Sequence, residues 1–320
     1  MAPRRMGPAR PVGVMGMLGE ELVGLGADPD MELRAIYHTG LMTTEPLRLW
    51  PAGSQPGGEN AEGLPRLTPY LVPGDRPRAA IVVCPGGGYG QRAAHEGEPV
   101  ARWLNDIGLH AFLLDYRVVG QKPEGGVLHP LPLLDAQRAL RTVRHRAAEW
   151  RVDQGKVGIL GFSAGGHVAA TASTQWDGGT PQAEDPIERE SCRPDASVLC
   201  YAVLSFVEYG HNGSMRNLLG ETPSLAQRRA LSAELRVTEE TPPAFLWHTA
   251  EDAGVPVENS LNFAAALARN GIPFSLHVFP KGAHGLGLAD GKVRPVSDPQ
   301  AAAWPGLCAE WLAGMGWRNA

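Results

Sequence analysis

Cysteine is scarce in this chain of 320 residues, and the little there is does not pair. The four cysteines, at positions 84, 192, 200 and 308, have neither close spacing nor a metal-ligand pattern. That argues against a disulfide framework and for reduced thiols. No Cys/His/carboxylate cluster with ligand spacing occurs elsewhere, so no metal is expected. Basic charge is short too: 29 Lys and Arg face 34 Asp and Glu, for a net charge of −5. A nucleic-acid partner is therefore not expected. No apolar run is long enough to span a membrane. The opening "MAPRRMGPARPVGVMGMLGEELVGLG" has early arginines and a mildly apolar stretch, but Gly and Pro interrupt it and Glu20 and Glu21 close it. That is weaker than a signal-peptide core. A dinucleotide fingerprint is missing as well, since "PGGGYG" lacks the acidic partner and the helix directly behind it. The expectation is a cytoplasmic protein without cofactor, with an irregular extension over residues 1–40 and one domain over 41–320.

What is present is alternation. "RAAIVVC" (78–84) reads as a buried strand, stopped by "PGGGYG". Val100, Trp103, Leu104 and Ile107 recur at helical spacing, with Gly108 where a left-handed cap belongs. "HAFLLDY" (110–116) is the next strand. Asp135 then reads as an N-cap ahead of an apolar stripe of Ala136, Leu140, Val143, Ala147 and Trp150. "KVGIL" (156–160), "DASVLCYAVLS" (195–205), "PPAFLWHTA" (242–250) and "PFSLHVFP" (273–280) are further strands. "VENSLNFAAALARNG" (257–271) and "WPGLCAEWLAGMG" (304–316) are helices, the second with Pro305 in its first turn. "ELRAIYHTG" and "EPLRLWP" are early strand candidates, and "AGSQPGGENAEGLPRLTP" (52–69) reads as a surface loop. Alternating strands and helices predict a mainly parallel sheet covered on both faces. The polar, helix-capable stretch 206–243 interrupts the alternation. It reads either as a lid over the carboxyl edge of the sheet or as a long crossover.

The chemistry centres on Gly161-Phe162-Ser163-Ala164-Gly165. A serine on a sharp strand-to-helix turn exposes its hydroxyl, and the residues two before and two after must be small. A strand candidate precedes Ser163 and a helix candidate follows it. A nucleophilic serine needs a base and the base needs an orienting acid. Among ten histidines, His277 and His248 lie inside strands, His167 on a helix, and His110 at a strand start. His129, in "HPLPLLD", reads as structural or as a second-site residue. His284 stands in "PKGAHGLGL", on a loop just past the last strand, where a catalytic histidine belongs. Glu251 and Asp252 compete for the acid, and Asp252 is preferred because it lies one residue further into the turn. The resulting order is Ser163, Asp252, His284, that of one serine-hydrolase fold among several. Oxyanion donors are expected from the N–H of Ala164 and from Gly87 and Gly88. Tyr89, Trp176, Tyr209 and His211 are candidates for lining a sugar or acyl pocket.

These residues carry a resemblance. "LRLWP", "CPGGGYGQRAAHEGEPVARWLN", "LDYRV", "HPLPLLDAQRALRTVR", "GILGFSAGGHVAATAST", "HTAEDAGVPVENSL" and "HVFPKGAHGLGL" span most of residues 45–315. The chain resembles α/β-hydrolases related to hormone-sensitive lipase, most of all the acetyl xylan esterase-like or feruloyl esterase-like (BD-FAE-type) branch. The resemblance implies a three-layer α/β-hydrolase fold: a mostly parallel eight-stranded sheet, helices on both faces and a small cap. It also implies a Ser-Asp-His esterase acting on small acyl esters of plant-polysaccharide sugars. Its partner would be a small-molecule or oligosaccharide ester. Two departures favour the sugar-ester branch over the lipases: Pro85 stands where lipase relatives carry His, and Phe162 where they often carry Asp. A serine peptidase of the prolyl-oligopeptidase kind and a catalytically silent binding protein are the competing readings.

Overall fold

Short runs rich in Val, Ile and Leu become strands because branched side chains pack well on a pleated surface. In the computed structural model the described residues are 42–43, 45–58, 65–292 and 299–318. They hold nine strands: β1 (Met42–Thr43), β2 (Leu47–Arg48), β3 (Arg66–Leu71), β4 (Arg78–Cys84), β5 (His110–Asp115), β6 (Val152–Phe162), β7 (Ser197–Cys200), β8 (Ala244–Thr249) and β9 (Phe274–Phe279). Eight form one continuous path, β1-β3-β5-β4-β6-β7-β8-β9, and the two-residue β2 pairs with β3 off that path. Every neighbouring pair from β5 to β9 is parallel. On the other side β3 runs antiparallel to β5, and β1 and β2 run antiparallel to β3 at the edge. The expected mostly parallel eight-stranded sheet is thus present.

Alternation along the strands feeds two cores. On β4, Ala80, Val82 and Cys84 pack into one, and Ala79, Ile81 and Val83 into the other. The first face is covered by α2 (Leu131–His145), α4 (Ser163–Thr174) and α7 (Glu258–Arg269), through Leu140, Val168 and Phe263 among others. The second is covered by α1 (Glu98–Asp106) and α8 (Trp304–Gly314), through Leu104, Trp304 and Leu312. The remaining helices are short: α3 (Ala147–Trp150), α5 (Asn212–Leu219) and α6 (Leu225–Ala230). No helix among the described residues is long and apolar enough to cross a membrane. All four cysteines are buried and free.

Three expectations need correction, and one cannot be compared. Residues 66–69 are strand rather than loop. Pro69 pairs opposite Phe112 of β5, while the outer pairings of β3 fall at Arg66, Leu67, Tyr70 and Leu71 and skip it. Its missing N–H is therefore not required by an outer neighbour. The strand in 195–205 stops at Cys200, because Tyr201 takes φ of 35°, outside the extended region. Asp135 is not an N-cap. It lies inside α2, fully buried, and its carboxylate accepts from the backbone N–H of Arg117 at 2.8 Å and from Nε of the same residue at 3.1 Å. Burial pushes the Asp135 pKa up, and the Arg117 guanidinium opposes that shift. Residues 1–40, with the strand expected in "ELRAIYHTG", lie outside the described residues.

Candidate active site

β6 runs straight into α4, and the junction is Ser163 with φ of 51°. A side chain in that region is strained by about 1–3 kcal/mol and persists only where its surroundings enforce it. The surroundings here are glycines. A Cβ on Gly161 would stand 2.1 Å from the carbonyl oxygen of Gly165, and one on Gly165 would stand 2.1 Å from that of Cys84. The crossing of β4, β6 and α4 is too close for any side chain at either position. The turn leaves Ser163 Oγ at the amino end of α4, where the helix favours negative charge.

The hydroxyl has a partner. Ser163 Oγ and His284 Nε2 are 2.8 Å apart, and His284 Nδ1 is 2.6 Å from Asp252 Oδ2. The structure thus brings together three residues drawn from the ends of β6, β8 and β9. Glu251 is exposed to solvent while Asp252 is buried, so the geometry favours the preferred acid. The other Asp252 oxygen accepts from the N–H groups of Gly254 and Val255 at 2.8 and 2.9 Å. Beneath it lies His248, the core histidine expected within β8 and fully buried. Its Nε2 is 2.9 Å from the carbonyl oxygen of Val255, which can only accept, so Nε2 carries the hydrogen. The same Nε2 is 3.4 Å from Asp252 Oδ2.

Burial raises the Asp252 pKa, but hydrogen bonds from His248, His284 and Val255 outweigh it and hold the carboxyl well below the usual range. A group depressed in the folded state contributes stability above its unfolded value, about 4, and loses it as pH falls toward the folded value. The urea-midpoint gap between wild type and Asp252→Asn should therefore narrow as pH is lowered from about 5 to about 3. A gap constant over that range would contradict the assignment.

The loop after β4 supplies the other half of the site. A Cβ on Gly86 would lie 2.9 Å from Ser163 Cβ, so this backbone passes directly beside the serine. The Gly86 carbonyl accepts from Ala93 N–H at 2.9 Å, and the Gly87 carbonyl from Gly90 and Gln91 N–H at 3.0 and 3.2 Å. In a planar trans peptide the following N–H points opposite to the carbonyl. The N–H groups of Gly87 and Gly88 therefore turn out of the loop, and among the described residues neither they nor the N–H of Ala164 has a hydrogen-bond partner. Gly87 has φ of 125° and an added Cβ would stand 2.3 Å from the Gln91 carbonyl oxygen, so only glycine fits.

Segment 206–243 is stitched to the body. Asn217 on α5 donates to the Gly88 carbonyl at 2.8 Å, and Leu218 accepts from His129 N–H at 2.9 Å. Leu231, past α6, accepts from His167 Nε2 at 2.7 Å. His211 caps α5: its Nδ1 accepts the Ser214 N–H at 3.1 Å. With Nδ1 an acceptor, the neutral ring carries its hydrogen on Nε2. Burial and the charge of nearby His284 lower its pKa, keeping that form. Tyr209, on the same loop, is 51% exposed.

Two expected pocket residues lie elsewhere. Tyr89 is 1% exposed, and its hydroxyl is 2.6 Å from His167 Nδ1. Because His167 Nε2 is the donor, Nδ1 accepts from Tyr89, whose ring belongs to the core rather than to a pocket. Trp176 follows the carboxyl end of α4 under the Arg193 guanidinium, 5.5 Å away. That is one helix length, about 18 Å, from the end that carries Ser163.

Fold, chain order and elbow define a class: an α/β-hydrolase fold with a serine at its strand-to-helix elbow. Comparison narrows the class to a family. Residues 70–267 match the BD-FAE family, and the chain belongs to it, in its acetyl xylan esterase-like branch. It is 40% identical over 232 residues to an endo-1,4-beta-xylanase B of Butyrivibrio fibrisolvens, covering 71% of this chain and 35% of that protein. It is 35% identical over 216 residues to an acetylxylan esterase of Xylanibacter ruminicola, covering 65% of this chain and 41% of that protein. The chain thus spans well under half the length of these relatives. Among solved structures, an acetyl ester-xyloside bifunctional hydrolase from Caldicellulosiruptor lactoaceticus is 45% identical, with a TM-score of 0.80 over 86% of this chain and 97% of that one.

Proposed function

We propose that the protein is a serine esterase that removes acetyl or other small acyl groups from carbohydrate esters such as acetylated xylan oligosaccharides. The observation that carries the reading is the chain Asp252–His284–Ser163, with hydrogen-bonding contacts of 2.6 and 2.8 Å. In this mechanism Ser163 Oγ attacks the ester carbonyl while His284 Nε2 takes its proton. The oxyanion is held by the N–H groups of Ala164, Gly87 and Gly88, each such donor contributing about 10²–10³ in rate. His284 then gives its proton to the departing alcohol oxygen, leaving an acyl-serine. Water, deprotonated by the same nitrogen, attacks that acyl group, and the carboxylic acid leaves as Ser163 regains its hydrogen. Asp252 holds the ring orientation and stabilises the imidazolium without accepting the proton.

The carbohydrate side of the proposal draws on the named activities of the relatives and on segment 206–243. His211 Nε2–H is a neutral donor suited to a sugar hydroxyl, and exposed Tyr209 offers a ring for stacking. The test is a panel of acetylated xylo-oligosaccharides, feruloyl esters, p-nitrophenyl acyl esters and aminoacyl amides, compared by kcat/KM. Acetyl esters are expected to exceed butyryl and longer esters by about tenfold or more, roughly 1.4 kcal/mol of discrimination. Faster turnover of the aminoacyl amides would overturn the reading in favour of a peptidase.

A further inference from the structure

Glu96 ends a single 3₁₀ turn (Ala94–Glu96) and is 2% exposed. A carboxyl so deeply buried must be satisfied by partners, and both of its oxygens are. Oε2 accepts from the Gly86 N–H at 2.7 Å, and Oε1 is 2.6 Å from the Tyr201 hydroxyl. The direction of the second bond is fixed by a third: the Tyr201 oxygen accepts from the Gly287 N–H at 2.8 Å, so the tyrosine proton goes to Glu96. Gly86 precedes the two glycines whose N–H groups turn out of the loop. Gly287 lies three residues beyond His284. The Tyr201 ring also stands edge-on against the His284 imidazole, with centroids 5.1 Å apart. His95 adds a parallel tie, its Nε2 donating to the Gly285 carbonyl at 3.1 Å.

We propose that Glu96 is a positioning residue that sets the oxyanion loop and the histidine loop in one register, through Gly86 on one side and Tyr201 on the other. It touches neither substrate nor reacting atoms. The proposal rests on the assignment of Ser163 and His284 above. A carboxylate suits this place because it presents two acceptors to two donors. An amide presents one acceptor and an NH₂ group, so Glu96→Gln keeps the shape but loses one of the two bonds. Water has little access to replace it at such burial.

The experiment is steady-state hydrolysis of p-nitrophenyl acetate by the full-length protein, normalised to the fraction of molecules labelled by a fluorophosphonate. For Glu96→Gln, kcat per labelled site should fall about tenfold to a hundredfold with KM within about threefold, since contacts made only in the transition state are loosened. Tyr201→Phe breaks the same chain from its other end and keeps the ring against His284. It should behave alike, and the double variant should lose no more than the weaker single variant. A merely structural role would lower the labelled fraction and leave kcat per labelled site unchanged. A value within twofold of wild type, in Glu96→Gln or in Tyr201→Phe should the first not fold, would overturn the proposal. Wild-type protein that takes no label would instead overturn the nucleophile assignment, and this proposal with it.

Discussion

Replacing Ser163 with Ala should lower kcat for p-nitrophenyl acetate by about 10⁴–10⁶-fold and abolish fluorophosphonate labelling. The size follows from the geometry. Ser163 Oγ lies 2.8 Å from His284 Nε2, the nitrogen that would take its proton. All four cysteines are buried. Residual turnover would then report oxyanion donors acting on a water-attacked ester, a contribution that survives loss of the nucleophile. The thermal midpoint should change little, because alanine at φ of 51° carries much the same backbone strain as serine. Activity within tenfold of wild type would remove Ser163 from the mechanism.

Replacing Asp135 with Ala should destabilise the protein by about 3–5 kcal/mol without altering the chemistry of the site. Arg117 is 1% exposed and Asp135 is fully buried. The guanidinium gives Nε and Nη2 to that carboxylate and Nη1 to the Pro56 carbonyl. It also lies 5.5 Å from the centroid of the Trp50 ring. Truncating the acid would strand a cation in the interior, far costlier than the loss of one hydrogen bond. Since domains are stable by only about 5–15 kcal/mol, such a loss is readily seen in the urea midpoint. The double replacement Arg117→Met with Asp135→Leu should recover most of it, because the charge to be solvated is gone. A single variant within 1 kcal/mol of wild type, on the scale where one buried hydrogen bond is about that size, would show the pair to be dispensable.

These two sites mark how far the sequence could be read. Ser163 was legible because an elbow demands glycine two residues to either side, and steric demand of that kind leaves a local signature. Asp252 and His284 were legible from their places just beyond strands. β4 and α1 followed from apolar periodicity alone. Asp135 misled because an acid ahead of an apolar stripe looks the same whether it caps a helix or neutralises a buried arginine 18 residues earlier in the chain. β3 was hidden by Pro69, whose tolerance depends on the outer neighbours' pairing positions. Tyr89 shares the glycine-rich loop with the oxyanion candidates, yet its ring turns inward to His167. Glu96 gave no signal at all, since its partner Tyr201 lies 105 residues away. Local steric rules reach the reader through sequence, whereas pairings between distant polar groups become visible only once the chain is folded.

Residues 206–243 lie within the connection from β7 to β8. Ser163, Asp252, His284 and the glycines after β4 all hang from the carboxyl ends of sheet strands, which hold one another in place. His211 and Tyr209 do not: they ride on a connection between β7 and β8. The proposed reacting groups and the proposed substrate contacts thus lie on separate stretches of chain. Substitutions in the connection can therefore change what surrounds the site while leaving the strand-borne groups where they are.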